Sequence, residues 1–91
     1  MTDIRNEAID ELITEAIEEL KQFKSNLNTQ RVLKEKYEVK YKLKDLYKDG
    51  VFESEYENLK EGINKNIDSL HNDIARVEAI VDELNSIKRC N

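Results

Sequence analysis

Apolar residues recur at alternating intervals of four and three through the last third of the chain, and this spacing restricts the fold more than any other feature. A period near 3.5 places such residues along one face of an α-helix, as in a coiled coil. The a positions are Ile67, Ile74 and Val81, and the d positions are Ile63, Leu70, Val77 and Leu84. The pattern predicts a long, coiled-coil-like C-terminal helix over about residues 54–88.

A second apolar face begins near the N-terminus. Its members are Ile9, Ile13, Ala16, Ile17, Leu20, Phe23 and Leu27. Glutamates occupy the opposite side, so this spacing predicts an amphipathic helix over residues 3–27.

The residues SNLNT at 25–29 are poor helix formers whose side chains compete for backbone hydrogen bonds. They predict a break before a middle helix over residues 30–49, with one bent helix as the alternative.

The segment KEKYEVKYKLKDLYKDG at residues 34–50 fits two different periods. Apolar and charged residues alternate from Tyr37 to Leu43, which is typical of a strand that would pair with VFESEY across an Asp-Gly turn. Val39, Leu43 and Leu46 also fall at helical spacing. A lone two-stranded ribbon is marginal in water, so we favour a helical hairpin over a β-hairpin.

Two local signals predict the turn of that hairpin. Gly50 stands where a left-handed residue often ends a helix. Ser54 and Glu57 have the S-x-x-E spacing of a capping box at the start of the next helix.

The rest of the composition agrees with helices, because the chain has no proline, two glycines and 38% charged residues. No stretch approaches the roughly 20 apolar residues that cross a bilayer, and MTDIRNEAID has no basic or apolar leader. We therefore expect a cytoplasmic protein without membrane partners.

Together these elements predict an all-α fold in a single helical domain over residues 1–91. We expect a three-helix up-down-up bundle whose long C-terminal helix dimerises. Charge supports this order, because the net charge is −4 over residues 1–27, +3 over residues 28–50 and −4 over residues 51–91. A basic helix between two acidic ones favours antiparallel neighbours by a few tenths of a kcal/mol per exposed pair.

The hairpin LKDLYKDGVFESEYENLKEGI, residues 43–63, resembles the short C-terminal domain family known as SHOCT. The family pattern is L-x-x-L-x-x-x-G-x-I-[ST]-x-x-E-[FY]-x-x-[KL]. The positions that match in register are Leu43, Leu46, Gly50, Phe52 and Lys60, and the similar residues Tyr56 and Leu59 each stand one residue before the pattern's [FY] and [KL] positions. Glu53 departs from it, since the family usually has Ser or Thr there. The resemblance implies a helical hairpin that makes protein contacts or assists assembly, without an active site.

Helix lengths indicate where a partner would bind. At about 1.5 Å per residue, the first two predicted helices cover the third only to about residue 78. The uncovered end would expose an apolar ridge, and burying each such side chain is worth about 1.5 to 3 kcal/mol. The contact residues predicted on this basis are Ile74, Val77, Ile80, Val81, Leu84 and Ile87. The partner would be another protein chain, either a second copy in a homodimer or a host-protein target. In the alternative, one intramolecular bundle satisfies every apolar position.

Catalytic chemistry has no support in the sequence. The chain has no Gly-rich phosphate loop, nucleophile elbow or H-E-x-x-H motif. With one histidine, His71, and one cysteine, Cys90, it also lacks the ligands of a Cys/His zinc site. We expect His71 on the surface and Cys90 as a free thiol. We predict no enzyme activity, cofactor or metal site, and the glutamate clusters are interpreted as solvated helix faces.

The sequence therefore predicts a small protein interaction module: an adaptor, assembly factor or inhibitor of the kind that phages and mobile elements encode. The alternative function is nucleic-acid binding by the middle helix, with lysines on phosphates and tyrosines stacked on bases. The residues for that alternative are Lys34, Lys40, Lys44, Lys48, Tyr37 and Tyr41. A pI near 4.9 makes nucleic acid the less favoured partner.

Overall fold

The protein is a long antiparallel helical hairpin. The computed structural model describes residues 2–89, which form α1 (Thr2–Lys42), α2 (Lys44–Tyr47) and α3 (Gly50–Arg89). The described residues contain no strand, so the expected all-helical class is confirmed and residues 37–56 form a helical hairpin. The Cα atoms extend over 68 × 15 × 15 Å, which fits two helices side by side.

Four contacts between α1 and α3 define one register along the whole hairpin. Lys88 pairs with Asp10, Arg76 with Glu19, and Tyr41 stacks on Tyr56. Asn66 donates its side-chain N–H to Gln30. The two residue numbers add to between 95 and 98 in each pair. A nearly constant sum is the signature of straight antiparallel packing, so α3 is covered by α1 from one end to the other.

The core is a single seam between α1 and α3. Its buried side chains are Ile9, Ala16, Leu27, Phe52, Tyr56, Ile63 and Val77. The rest of the α3 heptad positions are half-buried in the same seam, so the predicted a and d face of this helix is confirmed. On α1 the seam residues also alternate by three and four. They are Asn6, Ile9, Ile13, Ala16, Leu20, Phe23, Leu27, Gln30, Lys34, Tyr37 and Tyr41.

The predicted break at residues 25–29 is wrong, and with it the three-helix up-down-up arrangement. α1 runs without interruption for 41 residues, because its seam spacing continues through this segment and Leu27 is buried on α3. The hydroxyl of Thr29 donates to the carbonyl of Ser25 at 3.1 Å. This polar side chain therefore bonds within the helix instead of ending it.

The predicted uncovered end of the C-terminal helix is also wrong. A first helix of 25 residues, followed by a separate middle helix, would have been too short to cover α3. The continuous α1 instead reaches the last described turn of α3, where Lys88 contacts Asp10. The end of α3 is therefore half of a two-helix seam and not a free ridge.

The turn uses different residues from those predicted. Lys48, and not Gly50, has the left-handed conformation, with φ 53° and ψ 43°, and its N–H donates to the carbonyl of Lys44. Gly50 is already the first residue of α3. Asp49 caps this helix by accepting the N–H of Phe52 at 3.1 Å. Ser54 donates its hydroxyl to the carbonyl of Val51, so the expected capping box does not form.

Candidate protein interaction surface

The two sides of the seam differ in polarity. In an antiparallel pair of helices, the heptad positions labelled e lie on one side of the a and d seam, and those labelled g lie on the other. Between α1 and α3 each side has twelve positions. Ile17 is the one large apolar residue at the e positions, whereas half of the g positions are apolar. Five of these six apolar residues, all but the buried Phe52, are at least partly exposed. We call these five the apolar flank: Leu12, Leu33, Leu59, Ile80 and Ile87.

The most accessible part of the apolar flank is a shallow groove near the chain ends. Leu12, Ala16, Ile80 and Leu84 form its floor and walls, and Glu15 and Glu19 stand at its edge. Leu12 is 50% exposed and Ile80 is 41% exposed. An apolar groove with a charged rim is the usual composition of a protein contact.

The structure separates the six predicted contact residues into two groups. Val77 is completely buried against α1, so it stabilises the hairpin and is not available to a partner. Ile74 and Val81 are half-buried in the same seam. The other three, Ile80, Leu84 and Ile87, lie in or beside the apolar flank. Ile80, at 41%, is the most exposed of the six, and Leu84 and Ile87 are half-buried.

A second exposed apolar region begins on the outer side of α1 and continues through the turn into α2. We call it the outer stripe; it consists of Val32, Val39, Leu43 and Leu46, and all four are exposed. Leu46, at 79%, and the nearby Val51, at 76%, are among the most exposed apolar residues of the protein. The helical spacing of this segment was recognised in the sequence, but it marks the outer side of the helix and not the side packed on α3.

The aromatic residues considered for base stacking are occupied by the hairpin itself. The rings of Tyr41 and Tyr56 stack with centroids 4.0 Å apart, and Tyr37 packs on Phe52 at 5.5 Å. Phe52 and Tyr56 meet edge to face. This cluster closes the tip of the hairpin, and both Tyr37 and Tyr41 are half-buried in it.

Two of the four lysines considered for phosphate contacts take part in the same cluster. The ammonium of Lys40 lies 4.5 Å from the ring centre of Phe52 and 3.1 Å from the carboxylate of Asp49. Lys44 lies 4.5 Å from the ring centre of Tyr41. Lys34 is half-buried and Lys48 is exposed.

Asp49 connects the turn to this cluster electrostatically. The N–H of Phe52 donates to one carboxylate oxygen, and Lys40 pairs with the other. The hydrogen bond from Phe52, followed by that from Lys40, lowers the pKa of Asp49 below its ordinary value. The charged form of Asp49 is therefore part of the folded turn.

Other kinds of site find little support in the described part of the chain. Among residues 2–89, no group of three histidine, cysteine, aspartate or glutamate side chains is placed to hold a metal ion. Over the same residues, no helix is both long enough and apolar enough to cross a bilayer. His71 is exposed as expected. Cys90, expected as a free thiol, lies outside the described residues.

Sequence reasoning missed the apolar flank because it followed one face of each helix. A count of apolar residues at the e and g positions of both helices would have found it. That count requires knowing that residues 3–42 form one helix in one heptad frame, which the polar segment at 25–29 obscured. The chain matches no protein-family model, and comparisons with curated proteins and with solved structures found no match.

Proposed function

We propose that this protein is a non-catalytic interaction module that binds another polypeptide through its apolar flank and forms a dimer. The observation that carries the proposal is the one-sided distribution of apolar residues outside the seam. Solubility alone would favour polar residues on both sides. Retaining leucine and isoleucine along one side is typical of a helix pair that meets a further helix.

The area of the hairpin supports the same proposal. Its accessible surface is 6817 Å². A compact monomer of 10.7 kDa would expose about 5,500 Å². The excess of about 1,300 Å² per chain is within the range that each subunit of a permanent homodimer buries. A second pair of helices on the apolar flank would convert the thin two-helix seam into a four-helix core.

The biological role that fits such a module is that of an adaptor, assembly factor or inhibitor. The resemblance of residues 43–63 to a SHOCT hairpin supports a role in protein contacts. The apolar groove of Leu12, Ala16, Ile80 and Leu84 supports a helix as the bound element, because a helix presents apolar residues at matching intervals.

Sedimentation equilibrium tests the proposal with a matched pair of variants. Ile80 on the apolar flank is 41% exposed and Ile17 on the opposite side is 39% exposed, so aspartate at either position perturbs the hairpin to a similar degree. We expect a dimeric wild type, a monomeric Ile80→Asp variant and a dimeric Ile17→Asp variant. Far-ultraviolet circular dichroism should show the same helix content in all three. A monomeric wild type, or equal loss of the dimer in both variants, would refute the proposal.

A further inference from the structure

The apolar flank has a symmetric pattern along the hairpin. From the chain ends toward the turn, it presents first Leu12, Ile80 and Ile87, which we call the base group. Polar residues follow in the middle: Glu19, Asn26, Asn66 and Asp73. The tip group then comprises Leu33 and Leu59, because Phe52 at this end is buried. The basic residues Arg5 and Lys40 lie beyond the two groups, one at each end of this side. Apolar, polar and apolar regions therefore succeed one another on one side of the molecule.

We infer that the partner on this flank is a second copy of the chain, packed antiparallel about a two-fold axis, so that each base group covers the partner's tip group. The inference rests on the proposed function and adds the identity and direction of the partner. A two-fold contact requires a surface that complements itself, and this flank does so when one copy is reversed.

Distances along the helices agree with this pairing. In the register of the hairpin, Leu59 lies at the level of residue 37 in α1, and Ile87 lies near the level of residue 10. The centre of the hairpin is near residue 24. Leu59 and Ile87 of α3 are then about 19 and 21 Å from the centre, on opposite sides, and Leu12 and Leu33 of α1 are about 18 and 13 Å from it, also on opposite sides. Reversing one copy about the two-fold axis lays α3 on α3 of the partner subunit and α1 on α1 of the partner subunit. Ile87 then lies near Leu59 of the partner subunit, and Leu12 lies near Leu33 of the partner subunit.

Charge selects the antiparallel direction. The base half of the hairpin, residues 2–24 and 72–89, has eleven acidic and six basic side chains, a net charge of −5. The tip half, residues 25–71, has nine of each and is neutral. A parallel dimer would place two halves of charge −5 beside each other. An antiparallel dimer places each charged half beside a neutral one and avoids that repulsion.

Disulfide cross-linking tests the direction. Single-cysteine chains Ile87→Cys and Leu59→Cys, each also carrying Cys90→Ser, are unfolded and refolded alone or as a mixture, and then oxidised with diamide. A disulfide requires Cα atoms about 4.4 to 6.8 Å apart, so roughly tenfold more cross-linked dimer is expected in the mixture than in either chain alone. A tag on one chain distinguishes the mixed dimer from the two homodimers. The Leu12→Cys and Leu33→Cys pair should behave alike, and Ile17→Cys should not cross-link with any of them.

The outcomes separate the inference from the proposed function. If sedimentation shows a dimer but Leu12→Cys cross-links to Ile87→Cys, while Ile87→Cys does not cross-link to Leu59→Cys, the copies are parallel and the inference is wrong, although association through the flank stands. If the refolded wild type sediments as a dimer and no pair cross-links, the flank pairing is wrong. If the wild type is monomeric, the proposed function itself fails.

Discussion

At the residue scale, Asp49 shows how one carboxylate couples the turn to the aromatic tip. It accepts the N–H of Phe52 and pairs with Lys40, whose ammonium lies over the Phe52 ring. Helix N-termini favour negative charge, so the position of Asp49 adds to these contacts. Lys48, immediately before it, adopts a left-handed conformation that lysine rarely accepts, which indicates that the capped turn determines the local backbone.

The lowered pKa of Asp49 predicts a pH-dependent contribution to stability. Because the pKa is lower in the folded state than in the unfolded chain, the contribution is complete above the unfolded value, near 4, and is lost as the pH falls through the folded value. Asp49→Asn keeps an oxygen that can cap α3 but loses the charge. We expect its thermal midpoint to be below that of the wild type at pH 7, and the difference to vanish in acid.

Thermal unfolding followed by circular dichroism between pH 2 and pH 7 checks this prediction. Asp45→Asn, at an exposed position of α2, controls for the loss of one negative charge from the same region. A difference between wild type and Asp49→Asn that persists unchanged at the lowest pH would show that the charge of Asp49 does not stabilise the turn.

At the element scale, the apolar seam spacing along the whole of α1 outweighs the poor helix propensity of residues 25–29. Ser25, Asn28 and Thr29 are poor helix formers, but in isolation each costs only up to about 0.7 kcal/mol relative to alanine. Phe23, Leu27 and the residues after them keep their places in the seam only if the helix continues. Their burial on α3 outweighs the local preference for a turn.

Substitution of Asn28, which is exposed in the middle of α1, distinguishes a helix from a loop at this point. Proline there removes a helical hydrogen bond and clashes with the preceding turn, so we expect Asn28→Pro to lower the free energy of unfolding by about 3 kcal/mol or more. Asn28→Ala should raise it by about 0.5 kcal/mol. Urea denaturation at one fixed protein concentration measures both; a neutral proline variant would indicate a loop at residues 25–29.

The contrast between long apolar spacing and local turn signals explains which parts of the fold were predicted correctly from the sequence. The a and d positions of α3, from Ile63 to Leu84, were identifiable because their spacing is uninterrupted and each adds burial to one face. The helix break, the left-handed Gly50 and the capping box at Ser54 were local signals, and each was wrong. In each case a neighbouring residue or a longer packing pattern determined the backbone. Because the predicted break divided α1 into two shorter helices, the sequence did not show that α1 is long enough to cover all of α3.

At the scale of the whole molecule, the hairpin has a closed tip and a thin core. Aromatic stacking and cation contacts close the tip around Phe52 and Tyr56, whereas the rest of the seam is one side chain deep. A two-helix seam cannot enclose its flanking positions, because no third element lies beside them. The exposed leucines and isoleucines are therefore a consequence of the architecture, and covering them requires another chain.

The radius of gyration of the proposed dimer depends on which exposed region forms the contact between the two chains. The single hairpin has a Cα radius of gyration of 20.1 Å. Two hairpins side by side on the apolar flank, with axes about 10 Å apart, would have a radius near 21 Å. The outer stripe is centred about 22 Å from the middle of the hairpin, so antiparallel packing through it would overlap only the tip halves. The radius of gyration of that dimer would be about 30 Å.

Small-angle X-ray scattering can therefore assign the interface, and we expect the smaller radius. Leu43→Asp provides a matched control, because Leu43 on the outer stripe is 42% exposed, close to the value for Ile80. The Leu43→Asp variant should remain a dimer with the scattering curve of the wild type, while Ile80→Asp should scatter as a single hairpin. A radius near 30 Å that collapses to 20 Å in Leu43→Asp would assign association to the outer stripe, and the apolar flank would then need a different explanation.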